Sequence, residues 1–190
     1  MMTHTVQSQL ESAIAAPGEG VSGDVYAILD GAMVKQLPDW FEDRDAPYAC
    51  LFPGETDPMV LTRAPWLVRA DPGSEPMAWI LQEGWARNWG MFTVVPRETP
   101  FDAVLGHFRK FLQVRLPDER LVFFRFYDPR VQRLFLPSCD AAQMGELFEL
   151  PLSWVCESDG GEALLVHTVA AGAVKVQTVP LDSFRDAITR

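Results

Sequence analysis

Cysteine is scarce in this chain of 190 residues: Cys50, Cys139 and Cys156 are odd in number, widely separated and without a CxxC pair. That excludes a disulfide framework and predicts a reducing compartment. Histidine is equally sparse, with His4 in a polar N-terminal segment, His107 on the polar side of a predicted helix and His167 in a predicted strand. None has a second His or Cys at metal-ligand spacing, so no metal site is expected. No apolar run approaches the roughly 20 residues of a membrane span, and no basic region followed by an apolar core suggests a secretory signal. A soluble, cytoplasmic protein is the expectation. Positive charge is short as well: 16 Lys and Arg against 26 Asp and Glu leave a formal charge of −10. This argues against a nucleic-acid partner, which needs clustered cations, and against an anionic membrane surface. It is compatible with a basic protein partner.

The usual catalytic signatures are missing too. There is no GxSxG elbow, phosphate loop or dinucleotide fingerprint, so no cofactor is expected. Cys50 reads as an inert core thiol. Cys139 lies near a helix start, which could lower its pKa, but no base accompanies it. The carboxylate pairs Glu55/Asp57, Asp118/Glu119 and Glu157/Asp159 fall in predicted loops, where solvated charge explains them.

What the chain does have is apolar bulk. Hydrophobic residues make up 48%, with six Trp and twelve Phe, enough for one sizeable core. Residues 1–20 are polar, end in the breaker cluster Ala16-Pro-Gly-Glu-Gly20, and are expected to form a flexible arm although Val6, Leu10, Ala13 and Ile14 could share a helical face. Strands are predicted at Val25–Leu29, Tyr48–Phe52, Trp66–Val68 and Met91–Val95. A helix opening at Pro76 and running towards Trp89 would set Trp85 and Trp89 on one face with Leu81. Core packing is the plainer explanation for these rings, and a partner-binding surface is the alternative. The clearest helix is Pro100–Val114, with Thr99 as N-cap and Phe101, Val104, Leu105, Phe108 and Leu112 on one face. A short helix capped by Asp140, a strand over Leu152–Cys156 and a hairpin pairing Ala163–Val169 with Val174–Val179 come next. A faint helical spacing closes the chain over Leu181–Ile188. Strands interleaved with helices imply an α/β or α+β fold: a central mixed sheet with helices packed on it and a C-terminal hairpin. The division is a 21–150 core and a 151–190 extension packed on the same domain.

The stretch Leu121-Val-Phe-Phe-Arg-Phe-Tyr-Asp-Pro-Arg130 organises this reading. Its first half reads as a buried strand interrupted by Arg125. Asp128 then suits an N-cap and Pro129 the first helical position, with Val131, Leu134 and Phe135 as the inward stripe. A buried guanidinium needs a carboxylate. Asp128 is the nearer candidate and Asp30, at the end of another strand, the second. The alternative is an arginine that binds an anion beside the helix start.

Tyr26-Ala-Ile-Leu-Asp-Gly-Ala32, Cys50-Leu-Phe-Pro-Gly54, Ala64-Pro-Trp-Leu-Val68 and Phe124-Arg-Phe-Tyr-Asp-Pro-Arg130 together resemble the adaptor/chaperone family of bacterial type VI secretion. The likeness runs over about residues 24–155, and Ala64 stands where that family ordinarily has Gly. The resemblance implies a non-enzymatic cytosolic protein. It would bind a cognate effector protein, help load it onto the spike protein and stay behind. It implies a structural role for Asp30, Pro65, Trp66, Arg125, Tyr127, Asp128, Pro129 and Arg130, with partner choice helped by the C-terminal region. Competing readings are an enzyme using Arg125, Tyr127, Asp128 and Arg130 as an anion or phosphate pocket, and a structural subunit of an assembly.

Overall fold

Asp24–Asp30 (β1) carries β-branched, aromatic and aliphatic residues on both of its faces, and such a strand is stable only with cover on both sides. Val25, Ala27 and Leu29 enter one core; Tyr26 and Ile28 enter a second, on the opposite face of the sheet. The structure is a computed structural model describing residues 4–16, 22–34, 37–42, 44–54, 57–116, 118–170 and 172–181. The breaker residues 17–20, Glu55, and the closing segment from 182 onward lie outside the described residues.

The other sheet strands are Tyr48–Cys50 (β2), Pro65–Arg69 (β3) and Gly90–Val95 (β4). A two-stranded ribbon is formed by Gln113–Arg115 (β5) and Leu121–Phe123 (β6), and the sheet resumes with Ser153–Glu157 (β7), Ala163–Ala170 (β8) and Ala173–Pro180 (β9). The main sheet runs β2-β3-β1-β4-β7-β8-β9. Helices pack on it and β8–β9 forms the terminal hairpin, as expected of an α+β fold. Its pairings are antiparallel throughout rather than mixed. β7 bonds directly to β4, so β7–β9 continue the sheet begun by β1–β4.

One face is covered by His4–Ala15 (α1), Leu37–Glu42 (α2) and Glu75–Trp79 (α4), with the short turn Pro58–Leu61 (α3) between β2 and β3. Residues 4–15 of the expected arm are therefore a docked helix: Val6, Leu10 and Ile14 are buried against β1, β4 and β8. The i, i+4, i+8 stripe outweighs the polar residues between, because each buried aliphatic side chain contributes about 1.5–3 kcal/mol. The opposite face carries Phe101–Arg109 (α5), Pro129–Phe135 (α6) and Ala141–Leu147 (α7).

Three helical expectations are corrected. α5 begins one residue later than its expected Pro100 start and ends at Arg109; Pro100 is its N-cap, and the Thr99 hydroxyl instead donates to the Pro96 carbonyl at 2.6 Å. The helix from Glu75 closes in a π-helical turn, Ile80–Gly84, and Trp85 is extended. Ala86 and Asn88 then adopt left-handed backbone (φ 63° and 53°), so Trp85 and Trp89 do not share a helical face. On α6 the buried residues are Pro129 and Gln132, whereas Leu134 is 80% exposed.

The largest correction concerns the organising stretch. Only Leu121–Phe123 is a strand, it pairs with β5 outside the main sheet, and Leu121 and Phe123 are 59% and 65% exposed. The sheet position beside β4 belongs to β7, whose Trp154 and Val155 are fully buried. The apolar run enters the core only at its end, where Phe126 and Tyr127 are buried.

Candidate functional site: the Asp30–Arg125–Asp128 corner

Three motif segments far apart in sequence meet at one corner of the sheet. β1 ends at Asp30, opposite Pro65 of β3. Gly31 comes next, and its N–H donates to the Ala64 carbonyl at 3.0 Å. A Cβ at Gly31 would lie 2.5 Å from that oxygen, so the close backbone approach requires glycine. Trp66 sits between Leu29 of β1 and Cys50 of β2, and its indole N–H donates to the Leu61 carbonyl at 3.1 Å.

Asp30 is 1% exposed, yet its carboxylate is well partnered. Oδ1 accepts the Ala32 N–H at 2.9 Å, and Oδ2 accepts Arg125 Nη2 in a short ion-paired contact. Arg125 therefore pairs with both candidate carboxylates: Asp30 is the hydrogen-bonded partner, and Asp128, the preferred candidate, is an ion-pair partner at the longer distance of 3.7 Å. Asp128 is already engaged by Arg130. Its Oδ1 accepts both the backbone N–H and Nε–H of Arg130 at 2.9 Å, and its Oδ2 accepts Arg130 Nη2 at 2.7 Å. Its carbonyl accepts the N–H groups of Val131 and Gln132, completing the N-cap of α6. Burial pushes the Asp128 carboxyl up, but the bonds from Arg130 and the nearby Arg125 charge outweigh it and hold the pKa below the ordinary value.

Charge therefore alternates Asp30, Arg125, Asp128, Arg130 across the corner. Both guanidinium groups are committed to carboxylates, which opposes an anion or phosphate pocket there. Arg125 is 41% exposed at its side chain rather than lying in a buried strand, while its Nε–H has no acceptor among the described residues. Tyr127 packs beside them, its hydroxyl pushed up to about 12 mainly by burial, so the phenol stays protonated at neutral pH. Pro129 occupies the first turn of α6, buried.

Around this corner lie features that sequence reasoning missed. Glu157, expected in a solvated acidic turn, ends β7 as a buried carboxylate. It accepts the N–H groups of Ala86 and Asn88, both at 2.6 Å, and so holds the left-handed turn after the π-helical segment. Desolvation dominates and raises its pKa despite those two bonds. The usable signal was period-two alternation carried one residue further: Ser153, Val155 and Glu157 share a face. Trp85 donates its indole N–H to the Gly161 carbonyl at 2.8 Å, and the Trp89 carbonyl accepts the Asp30 N–H at 2.7 Å. Trp85 is thereby a structural link, whereas Trp89 lines an open groove with Trp40 and Trp79.

A second surface is apolar. Phe123 packs on Phe52 with centroids 5.3 Å apart, and with Leu121, Val60 and Leu112 these rings line a groove edged by Arg109 and Lys110.

The remaining candidates are structural. His107 is buried, not on a polar face, with Nε2 3.1 Å from the Leu147 carbonyl; burial lowers its pKa. Burial raises the Cys139 thiol, opposite to the expected helix-start effect, and pushes Cys156 up to about 12. Among the described residues no cluster of three or more His, Cys, Asp or Glu could hold a metal ion, and no helix is long and apolar enough to cross a membrane.

Residues 25–146 match the family model described as Domain of unknown function (DUF4123). The match begins in β1, encloses all the corner residues and stops within α7, ahead of β7–β9. No curated protein and no solved structure matches the chain.

Proposed function

The chain belongs to the DUF4123 family, and from that premise we propose that it is a non-enzymatic adaptor of type VI secretion. In this reading it binds a cognate effector protein in the cytosol, promotes its loading onto the spike protein and is not itself secreted. The carrying observation is the exposed apolar ribbon inside the matched segment. Leu121 and Phe123, at the two ends of β6, are largely exposed, and the chain runs on from them to Arg125, which is ion-paired with Asp30 and Asp128. Large apolar side chains grouped at a surface mark a protein-interaction site, since their burial needs a partner. The resemblance of the ordered motifs to type VI adaptors supports the same reading.

The corner's chemistry supports a scaffold in preference to an anion-binding enzyme, because each guanidinium faces a carboxylate. The test is affinity purification of the tagged protein from its own host. A stoichiometric effector, with or without the spike protein, supports the adaptor role. Recovery of no protein partner, together with turnover of a small molecule, overturns it.

A further inference from the structure

We propose that the tryptophan groove beside α2 is a docking site for a basic segment of a partner protein, taking an arginine side chain against its rings. This rests on the adaptor reading for its biological partner, but the chemistry of the groove is argued independently of it.

The groove is open, of about 820 Å3, and is lined by Met33, Asp39, Trp40, Trp79, Glu83 and Trp89. Trp40 and Trp79 stack at 4.1 Å with planes 19° apart, and Trp79 meets Trp89 at 5.0 Å and 51°. The rings run in series along the groove, Trp40 and Trp79 face to face and Trp89 tilted at the far end. Asp39 and Glu83 are exposed, and neither makes an ion pair among the described residues. Aromatic faces attract cations through their quadrupole, and unneutralised carboxylates beside them add a point-charge attraction. A planar guanidinium satisfies both demands at once, stacking on a ring while its N–H fork meets a carboxylate.

The cluster already contains one example. The Arg44 guanidinium carbon lies 3.9 Å from the Trp40 ring centroid, its Nε bonds Glu75 at 3.0 Å and its Nη1 donates to the Trp40 carbonyl at 2.7 Å. Arg44 and the stacked Trp79 engage Trp40, so Trp89, outside that stack, is the ring at which a second guanidinium would meet the groove that Asp39 and Glu83 also line. A purely apolar occupant would desolvate those carboxylates without pairing them, which is unfavourable. An acidic occupant would be repelled, and the chain's charge of −10 strengthens that choice at longer range.

The full chain is titrated with an acetylated, amidated Gly-Arg-Gly-Arg-Gly peptide and followed by tryptophan emission, in parallel with the same peptide carrying citrulline for arginine. Arginine binding with at least about tenfold loss on the citrulline change is the expected result. The double variant Asp39→Asn/Glu83→Gln lowers affinity by about tenfold or more, whereas Glu119→Gln/Glu146→Gln, an equal charge change elsewhere, leaves it within about twofold. Equal weakening in both double variants, or no preference for arginine over citrulline, overturns the proposal. Copurification separates the two readings. A partner retained equally by the wild type and by Asp39→Asn/Glu83→Gln overturns the groove as its docking site while the adaptor role stands. No partner on the wild type, with peptide binding as expected, overturns the adaptor role and supports the groove as a basic-peptide site.

Discussion

Asp30 has the most to lose from a missing partner, because it is buried at the end of β1 and its Oδ2 is served by Arg125. Arg125→Ala is expected to cost about 3 kcal/mol or more, because it strands a buried carboxylate and not a neutral acceptor. Arg130→Ala is expected to cost about 0–1 kcal/mol, since Arg130 is half exposed and Asp128 keeps its backbone N–H bond. Urea denaturation of both variants checks the order, and a larger loss for Arg130→Ala would contradict this arrangement of the corner. The acids also respond to pH in opposite senses. The Asp128 pKa is lowered on folding, so its contribution is present above its unfolded value and is lost as pH falls through the folded one. The Glu157 pKa is raised, so its contribution is fully present below the ordinary value of 4.5 and is lost as pH rises through the folded pKa. Glu157→Gln destabilises the protein at acidic pH through the mismatch with the Ala86 and Asn88 N–H groups. The deficit relative to wild type shrinks as pH is raised from 4.5, because only the wild type loses stability in that window. Thermal melts across that range test it; a deficit that grows with pH would show that the sign is wrong.

The β5–β6 ribbon and α1 are opposite kinds of element. The ribbon holds its apolar side chains in solvent and contributes little to the core, so Leu121→Ser/Phe123→Ser is expected to change stability by no more than about 1 kcal/mol. Capture of the partner protein should fall sharply in the same variant, and comparing its melting temperature with its copurification yield decides between the two effects. α1 behaves as core. Leu10→Ala is expected to cost about 2–5 kcal/mol, as for other fully buried leucines, measured by chemical denaturation. A cost under about 1 kcal/mol would mean that the helix is not held against β1 and β4. Most of these elements were legible. β1, β3, β4, α7 with its Asp140 cap, and the β8–β9 hairpin carry local signals that tertiary packing then uses. The ribbon was not legible, because a run such as Leu121-Val-Phe-Phe is equally suited to a central strand and to a partner surface; periodicity reports only that water is disfavoured.

At the scale of the molecule, the sheet joins the family-matched segment to the strands β7–β9 beyond it. β7 is hydrogen-bonded to β4, and Trp154 fills the core beside Phe108, Phe126 and Phe148. A chain ending at Leu150 is therefore expected to lose cooperative unfolding and become insoluble, since the β4 edge and the cavity left by Trp154 would both be exposed. A soluble truncated protein with a sharp melting transition would show that the matched segment folds alone. If it did, partner copurification with and without β7–β9 would measure their share in recognition.

By itself the sequence determined the α+β alternation, the Asp128–Pro129 start of α6 and the ordered motifs that the family match encloses. These depend on local propensity, capping and composition, which act within a few residues. Only the tertiary structure decided that Arg125 pairs with Asp30, across 95 positions of chain, that Glu157 is a buried brace, and that Trp40, Trp79 and Trp89 line one groove. Those outcomes depend on contacts between segments far apart in the chain. β7 is hydrogen-bonded to β4, whereas β6 pairs with β5 outside the main sheet and Arg125 reaches Asp30 at the end of β1. Which apolar segment enters the sheet is a global energy difference, and no local pattern carries it.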